Sequence, residues 1–169
     1  HFNLLNTKSG KILSLENLAG EKCTLIMFIC NHCPFVIHIN EEIVNIANEY
    51  IKKGVSFIAI SSNDVVNYPQ DSPENMKKVA SREKYPFPYL YDEDQSVAKN
   101  YDAACTPDFY IFNSDQELVY RGQMDDSRPG NNIPVTGKDI RNALDCIISS
   151  KKISETQKPS IGCNIKWLK

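Results

Sequence analysis

Short apolar runs alternate with helical repeats along the whole chain. Phe2 to Leu5 and Lys11 to Leu15 flank the turn-forming Asn6-Thr7-Lys8-Ser9-Gly10, a pattern that predicts a hairpin. From Leu25 to Cys30 every residue is apolar, so Lys22 to Ile29 predicts a central strand buried on both faces. After Pro34, residues Val36, Ile39, Ile43, Ile46, Ala47 and Tyr50 recur at helical spacing, and Lys52-Lys53-Gly54 supplies the stop. Val55 to Ile60 predicts a second buried strand, and Ser72-Pro73 opens a helix to about Lys84. Further on, Tyr89 to Tyr91 is a short strand, Gln95 to Tyr101 a short helix, and Phe109 to Phe112 with Leu118 to Arg121 a hairpin. Lys138 to Ser149 is the last predicted helix. Residues 157–169 show no period, but Ile161, Ile165, Trp167 and Leu168 predict a tail docked on the body. This order gives an α/β domain with a mixed central sheet, helices on both faces and an N-terminal β-hairpin.

One domain over residues 1–169 is expected, because two would each be poorly cored at this length. The chain is 41% hydrophobic and 24% charged, enough for a soluble core without covalent staples. Lys plus Arg number 19 against 21 Asp plus Glu, a net charge of −2. With no basic field to hold a phosphate backbone, nucleic-acid binding is not expected. Leu25 to Cys30, the longest apolar run, is too short to span a bilayer. The cytoplasm is the expected compartment; export stays open, since the chain begins at His1 without Met or an apolar leader.

Six cysteines are the unusual number. Cys30-Asn31-His32-Cys33 lies where the buried strand ends and the long helix begins. A helix N-terminus offers unpaired N–H groups and the positive end of the macrodipole, which stabilise a thiolate. The expectation is that Cys30 is the exposed, low-pKa nucleophile and Cys33 the resolving thiol of a dithiol/disulfide centre. Such exchange needs no cofactor.

Four separated segments resemble the thioredoxin-like superfamily, and within it the redoxin branch called peroxiredoxin-like 1. They are Cys30-Asn31-His32-Cys33-Pro34, Cys105-Thr106-Pro107-Asp108-Phe109, Asp125-Asp126-Ser127-Arg128-Pro129-Gly130, and Pro159-Ser160-Ile161-Gly162-Cys163-Asn164-Ile165-Lys166-Trp167. The resemblance implies a thioredoxin-like fold and a cis Thr106–Pro107 bond facing the cysteine pair, with the Thr106 backbone offered to a substrate chain. It also implies disulfide-bearing proteins or small thiols as substrates, with an electron donor that the residues do not name. His32 is expected to tune the Cys30 pKa and make the pair more oxidising than thioredoxin, which lies at about −270 mV.

Other readings stay open. Aligned on Cys33-Pro34, Cys33 takes the peroxidatic position of a peroxiredoxin, but Cys30 stands where a Thr or Ser is needed and Thr106-Pro107 where an Arg is needed. That leaves a weak thiol peroxidase, or a redox-sensing or adaptor module, as alternatives to thiol–disulfide exchange. No Asp or Glu lies between Lys22 and Cys33, so water or His38 is left as proton acceptor. Cys105 and Cys163 are candidates for an accessory redox pair; a zinc site of Cys30, Cys33, Cys105 and Cys163, or unconnected thiols, are the rivals. Cys23 and Cys146 are expected in the core. Asp92/Asp94 and Asp125/Asp126 are expected as solvated turn carboxylates, Arg128 as an ion-pair partner of Asp125 and Asp126 that orders their loop, and Ser61 to Asp64 as a lining of the cleft.

Overall fold

The computed structural model describes residues 1–169. Its main sheet is built from β1 (Asn3–Asn6), β2 (Lys11–Ser14), β3 (Cys23–Phe28), β4 (Val55–Ser61), β5 (Tyr89–Tyr91), β7 (Asp108–Asn113) and β8 (Leu118–Gly122), in the order β2-β1-β5-β4-β3-β7-β8. A two-stranded sheet joins β6 (Cys105–Thr106) to β9 (Cys163–Asn164). The helices are α1 (Leu15–Leu18), α2 (Pro34–Tyr50), α3 (Pro73–Arg82), α4 (Ser96–Asn100) and α5 (Lys138–Ile148). β3 runs parallel to β4 and antiparallel to β7, so the sheet is mixed, as expected.

The unbroken apolar run has a simple cause. Successive strand side chains point to opposite faces, and both faces of β3 are covered. Cys23, Leu25, Met27 and Ile29 join the core beneath α2, α3 and α5. Ile26 and Phe28 join the second core, with Val97 and Ala98 of α4, Leu4 of β1 and Phe2 just before it. Burying each large aliphatic or aromatic side chain contributes about 1.5–3 kcal/mol, so central β3 anchors both layers. α2 buries Val36, Ile39, Ile43, Ile46, Ala47 and Tyr50, the stripe read from the sequence. It passes into a 3-10 turn, Ile51–Lys53, stopped by Gly54 at φ 86°, a backbone region where only glycine is unstrained.

Several expectations need correction. Asp92 and Asp125 are buried, not solvated. Asp92 accepts from the N–H groups of Val97 and Ala98 and from the Ser62 hydroxyl; Asp125 accepts from the N–H groups of Ser127, Thr136 and Gly137. Both carboxylates thus serve as fixed acceptors, Asp92 for N–H groups in the first turn of α4 and Asp125 for N–H groups of the loop before α5, groups that would otherwise be left unpaired. Arg128 bonds the carbonyls of Asp125 and Ser127 instead of pairing with a carboxylate, and Asp126 takes Lys138 and Lys158. Cys146 is only half-buried, because α5 turns that position toward the edge of its apolar stripe. The tail docks through Ile165, at 1% exposure, while Ile161, Trp167 and Leu168 stay exposed. Its backbone carries the docking.

Candidate redox site

The site gathers at the carboxyl ends of β3 and β4. β3 delivers Cys30 at its exit, and Cys33 is the N-cap of α2, with Pro34 in the first turn. Proline suits that position because its missing N–H is one the helix could not pair anyway. Between the cysteines, Asn31 is tied down on every side. Its backbone N–H donates to Asp71 Oδ1 at 2.8 Å and its side-chain Nδ2 to the Gln70 carbonyl at 2.9 Å, while its side-chain Oδ1 accepts from the Tyr89 hydroxyl at 3.1 Å. All six cysteines are free thiols.

Asp71 is the residue that sequence reasoning missed. It ends a 3-10 turn, Pro69–Asp71, between β4 and α3, and is fully buried. Besides Asn31 it accepts from Asn63 Nδ2 at 2.8 Å and lies 2.7 Å from His32 Nδ1. At that distance Nδ1 must carry a hydrogen, since two lone pairs would repel. The same nitrogen stands 4.0 Å from Cys30 Sγ, and the imidazole stacks on Tyr68. No signal in the sequence links Asp71 to the cysteines; the topology alone brings them together. Of the Ser61 to Asp64 loop, Asn63 reaches the site, and it does so by holding Asp71.

The expected division into an exposed, acidic Cys30 and a passive Cys33 is not what the geometry gives. Cys30 is 3% exposed and Cys33 is 0% exposed. The two thiols titrate as a coupled pair. The neighbouring Cys30 thiol, helped by the Cys163 thiol and N–H and opposed by burial, takes Cys33 down to about 4. The neighbouring Cys33 thiol, burial and the Asp71 charge push the Cys30 thiol up. When Cys33 carries its proton, its thiol donates to the Thr106 carbonyl at 3.1 Å. Cys30 is then free to receive the Thr106 hydroxyl at 3.5 Å. Thr106 thus offers a hydrogen-bond partner to each sulfur.

The Thr106–Pro107 bond is cis, and Thr106 contacts both sulfurs. Its backbone edge, however, is already occupied: β9 pairs antiparallel with β6, placing Thr106 opposite Cys163 and Cys105 opposite Asn164. Adjacent strand residues face opposite ways, which separates the two accessory cysteines. Cys105 donates to the Pro107 carbonyl at 3.5 Å, and burial, Asp108 and Cys33 raise it to about 12. Cys163 turns to Cys33 instead; burial and that contact raise it to about 11. The four sulfurs therefore do not converge as a zinc site needs. Cys30, His32 and Asp71 do bring donor atoms within 4.8 Å of one another, but the Asp71 oxygens are already spent on three hydrogen bonds. His38 takes no part, its Nε2 lying 2.6 Å from Ser127 Oγ. Cys23 is buried in the core, which raises its thiol to about 12.

No helix is long and apolar enough to cross a membrane. No curated protein matches the sequence. Among solved structures, an uncharacterized conserved protein from Geobacillus kaustophilus is 62% identical with a TM-score of 0.97, covering 99% of this chain and 88% of that one. A hypothetical protein from Sinorhizobium meliloti is 44% identical with a TM-score of 0.96, covering 99% and 91%. A secreted disulfide oxidoreductase from Mycobacterium tuberculosis superposes with a TM-score of 0.65 at 16% identity, covering 86% and 95%. That last likeness establishes the thioredoxin-like fold. The profile of the Redoxin family matches residues 1–140, and the chain belongs to that family.

Proposed function

We propose that the chain is a thiol–disulfide oxidoreductase whose exchanging atoms are the sulfurs of Cys30 and Cys33. The carrying observation is the pair itself: two free thiols at the head of α2, coupled in their titration, with Thr106 offering a separate partner to each sulfur. Cys30 passes its proton to Cys33 and attacks a substrate disulfide, forming a mixed disulfide and expelling one thiolate. That thiolate takes the proton from Cys33. The Cys33 thiolate then attacks Cys30 Sγ, breaking the mixed disulfide, releasing the second substrate thiolate and leaving Cys30–Cys33 oxidised. One proton and two electrons balance across the cycle. No carboxylate on β3 is required, which answers the missing acceptor on that strand.

The Asp71 charge disfavours a Cys30 thiolate, and His32, whose Nδ1–H meets Asp71 at 2.7 Å, helps hold that charge beside the pair. Because the tail occupies Thr106, the substrate is a small disulfide, or a protein segment able to displace β9. Peroxide reduction at Cys33 is the second reading, and the low pKa of that thiol favours it. Against it, the partners of the Cys33 sulfur are Cys30, Cys163 and Thr106, and none is a guanidinium.

Insulin reduction by dithiothreitol is the test. The wild-type protein is expected to accelerate it and Cys30→Ser is not. Equal, negligible rates refute the exchange reading and favour a redox-sensing module. Consumption of hydrogen peroxide by the wild type and not by Cys33→Ser would favour the second reading.

A further inference from the structure

The third thiol at this site is held with unusual care. Cys163 lies in a tail whose backbone is fixed on both sides of it. Before it, Gln123 N donates to the Lys158 carbonyl at 2.9 Å and Ser160 Oγ to the Gly122 carbonyl at 2.7 Å. After it, Lys166 N donates to Asn63 Oδ1 at 2.9 Å, and the Lys166 carbonyl accepts from Asp64 N and Gln95 Nε2, each at 2.8 Å. Asn63 also holds Asp71, so one side chain secures both the tail and the charge beside Cys30. Gly162 brings the tail so close to Thr106 that a Cβ there would lie 2.6 Å from the Thr106 carbonyl carbon.

The consequence is a strand laid on the backbone edge where an extended peptide would add, with a cysteine opposite Thr106. Thr106 gathers the three sulfurs: its hydroxyl lies 3.5 Å from Cys30 Sγ, its carbonyl 3.1 Å from Cys33 Sγ, and Cys163 stands opposite it in the ladder, packed against the core that includes Cys33. With Cys33 and Cys163 each acting on the other's thiol, Cys33 is the middle sulfur of three. Thiol–disulfide exchange asks for this order, an attacking sulfur and a leaving sulfur on either side of the one attacked. Cys163 is also the half-exposed member of a trio whose other two are buried.

We propose that Cys163 is a third redox thiol, which moves the disulfide from Cys30–Cys33 to Cys33–Cys163 and so carries it toward the surface. Cys163 loses its proton and its sulfur attacks Cys33 Sγ. The Cys33–Cys163 bond forms, the Cys30–Cys33 bond breaks, and Cys30 leaves with the electron pair and takes the proton. No outside oxidant enters this step, because the Cys30–Cys33 disulfide comes from the reaction proposed above, on which the inference rests. An external thiol then reduces the bond at Cys163, the sulfur it can reach.

The test is peptide mapping of the full chain after graded oxidation with diamide, quenching at low pH and alkylation of the remaining thiols. The wild type is expected to yield both Cys30–Cys33 and Cys33–Cys163 linkages, and Cys163→Ser only the first. Cys30→Ser is expected to concentrate the disulfide in Cys33–Cys163. Cys30–Cys33 alone in the wild type, with Cys163 alkylated at every oxidant level, overturns the proposal and leaves the exchange reading standing. A Cys105–Cys163 linkage in place of Cys33–Cys163 overturns it equally. Absence of any disulfide on Cys30 overturns both readings, so the two failures are distinguishable.

Discussion

Replacing Gly162 with alanine probes the tail contact directly, and its sign is not obvious. At a position whose backbone an L-residue can adopt, Gly→Ala stabilises by about 0.4–1 kcal/mol by restricting the unfolded chain, and Gly162 has no positive φ. The added methyl, however, would run into the Thr106 carbonyl oxygen, 2.6 Å from its carbon and 3.0 Å from Pro107 N. Ordinary carbon contacts lie at about 3.5–4.0 Å, so the strands must part by roughly 1 Å. Every atom met is backbone, and no rotamer change relieves it. The β6–β9 ladder has two residue pairs; losing its hydrogen bonds at about 0.5–1.5 kcal/mol each outweighs the entropic gain. A net loss of about 1–2 kcal/mol follows, falling on the tail because Asn63 and Gln95 still hold the segment beyond it. One or two kcal/mol is roughly a 5–30-fold change in an opening equilibrium. Iodoacetamide labelling of Cys163, followed by peptide mass, should accelerate by that factor in Gly162→Ala, with the urea midpoint lowered only slightly. Labelling within about twofold of wild type would refute the reasoning, for it would mean that the ladder does not restrain Cys163.

Three more expectations come from the same contacts. Thiolate absorbance at 240 nm should persist to acid pH in the reduced protein, because Cys33 is held at about 4. A pKa depressed in the folded state stabilises the fold fully above the unfolded thiol's pKa and loses this contribution as pH falls through the folded value, so urea stability should drop toward pH 4. A single absorbance midpoint near the ordinary thiol value of about 8.5 would refute the coupled, depressed Cys33 thiol. Asp71→Ala strands Asn31 N–H, Asn63 Nδ2 and His32 Nδ1; at about 1–3 kcal/mol for each buried unpaired group, thermal denaturation should show a loss of about 3 kcal/mol or more. A loss under about 1 kcal/mol would show that these groups find water instead. Asp125→Ala removes the acceptor of three loop N–H groups and should cost about 3 kcal/mol in urea titrations while sparing insulin reduction; loss of activity with unchanged stability would contradict a purely structural role.

Local pattern carried most of the fold. The two-sided burial of β3, the stripe on α2 and the turn between β1 and β2 each depend on residues within a few positions of one another, and there the sequence reading and the structure agree. β6 and β9 left no trace, since strands of two residues have no period to detect. The buried Asp92 and Asp125 were read as solvated because an acidic residue in a turn looks the same whether it faces water or a ring of N–H groups. Cys105 and Cys163 are candidates for one pair because the first lies two residues before Pro107 and the second in a docked tail, yet register places them on opposite faces.

What the sequence determined by itself is a mixed-sheet α/β domain with Cys30 and Cys33 at a strand-to-helix junction, because periodicity and helix-end chemistry act over short stretches of chain. Only the tertiary structure decided where the charges and the third sulfur lie. Asp71 reaches Asn31 and His32, and Cys163 reaches Cys33, through pairings between distant segments. Those pairings are fixed by strand register and by a few backbone hydrogen bonds, and local composition leaves no record of them.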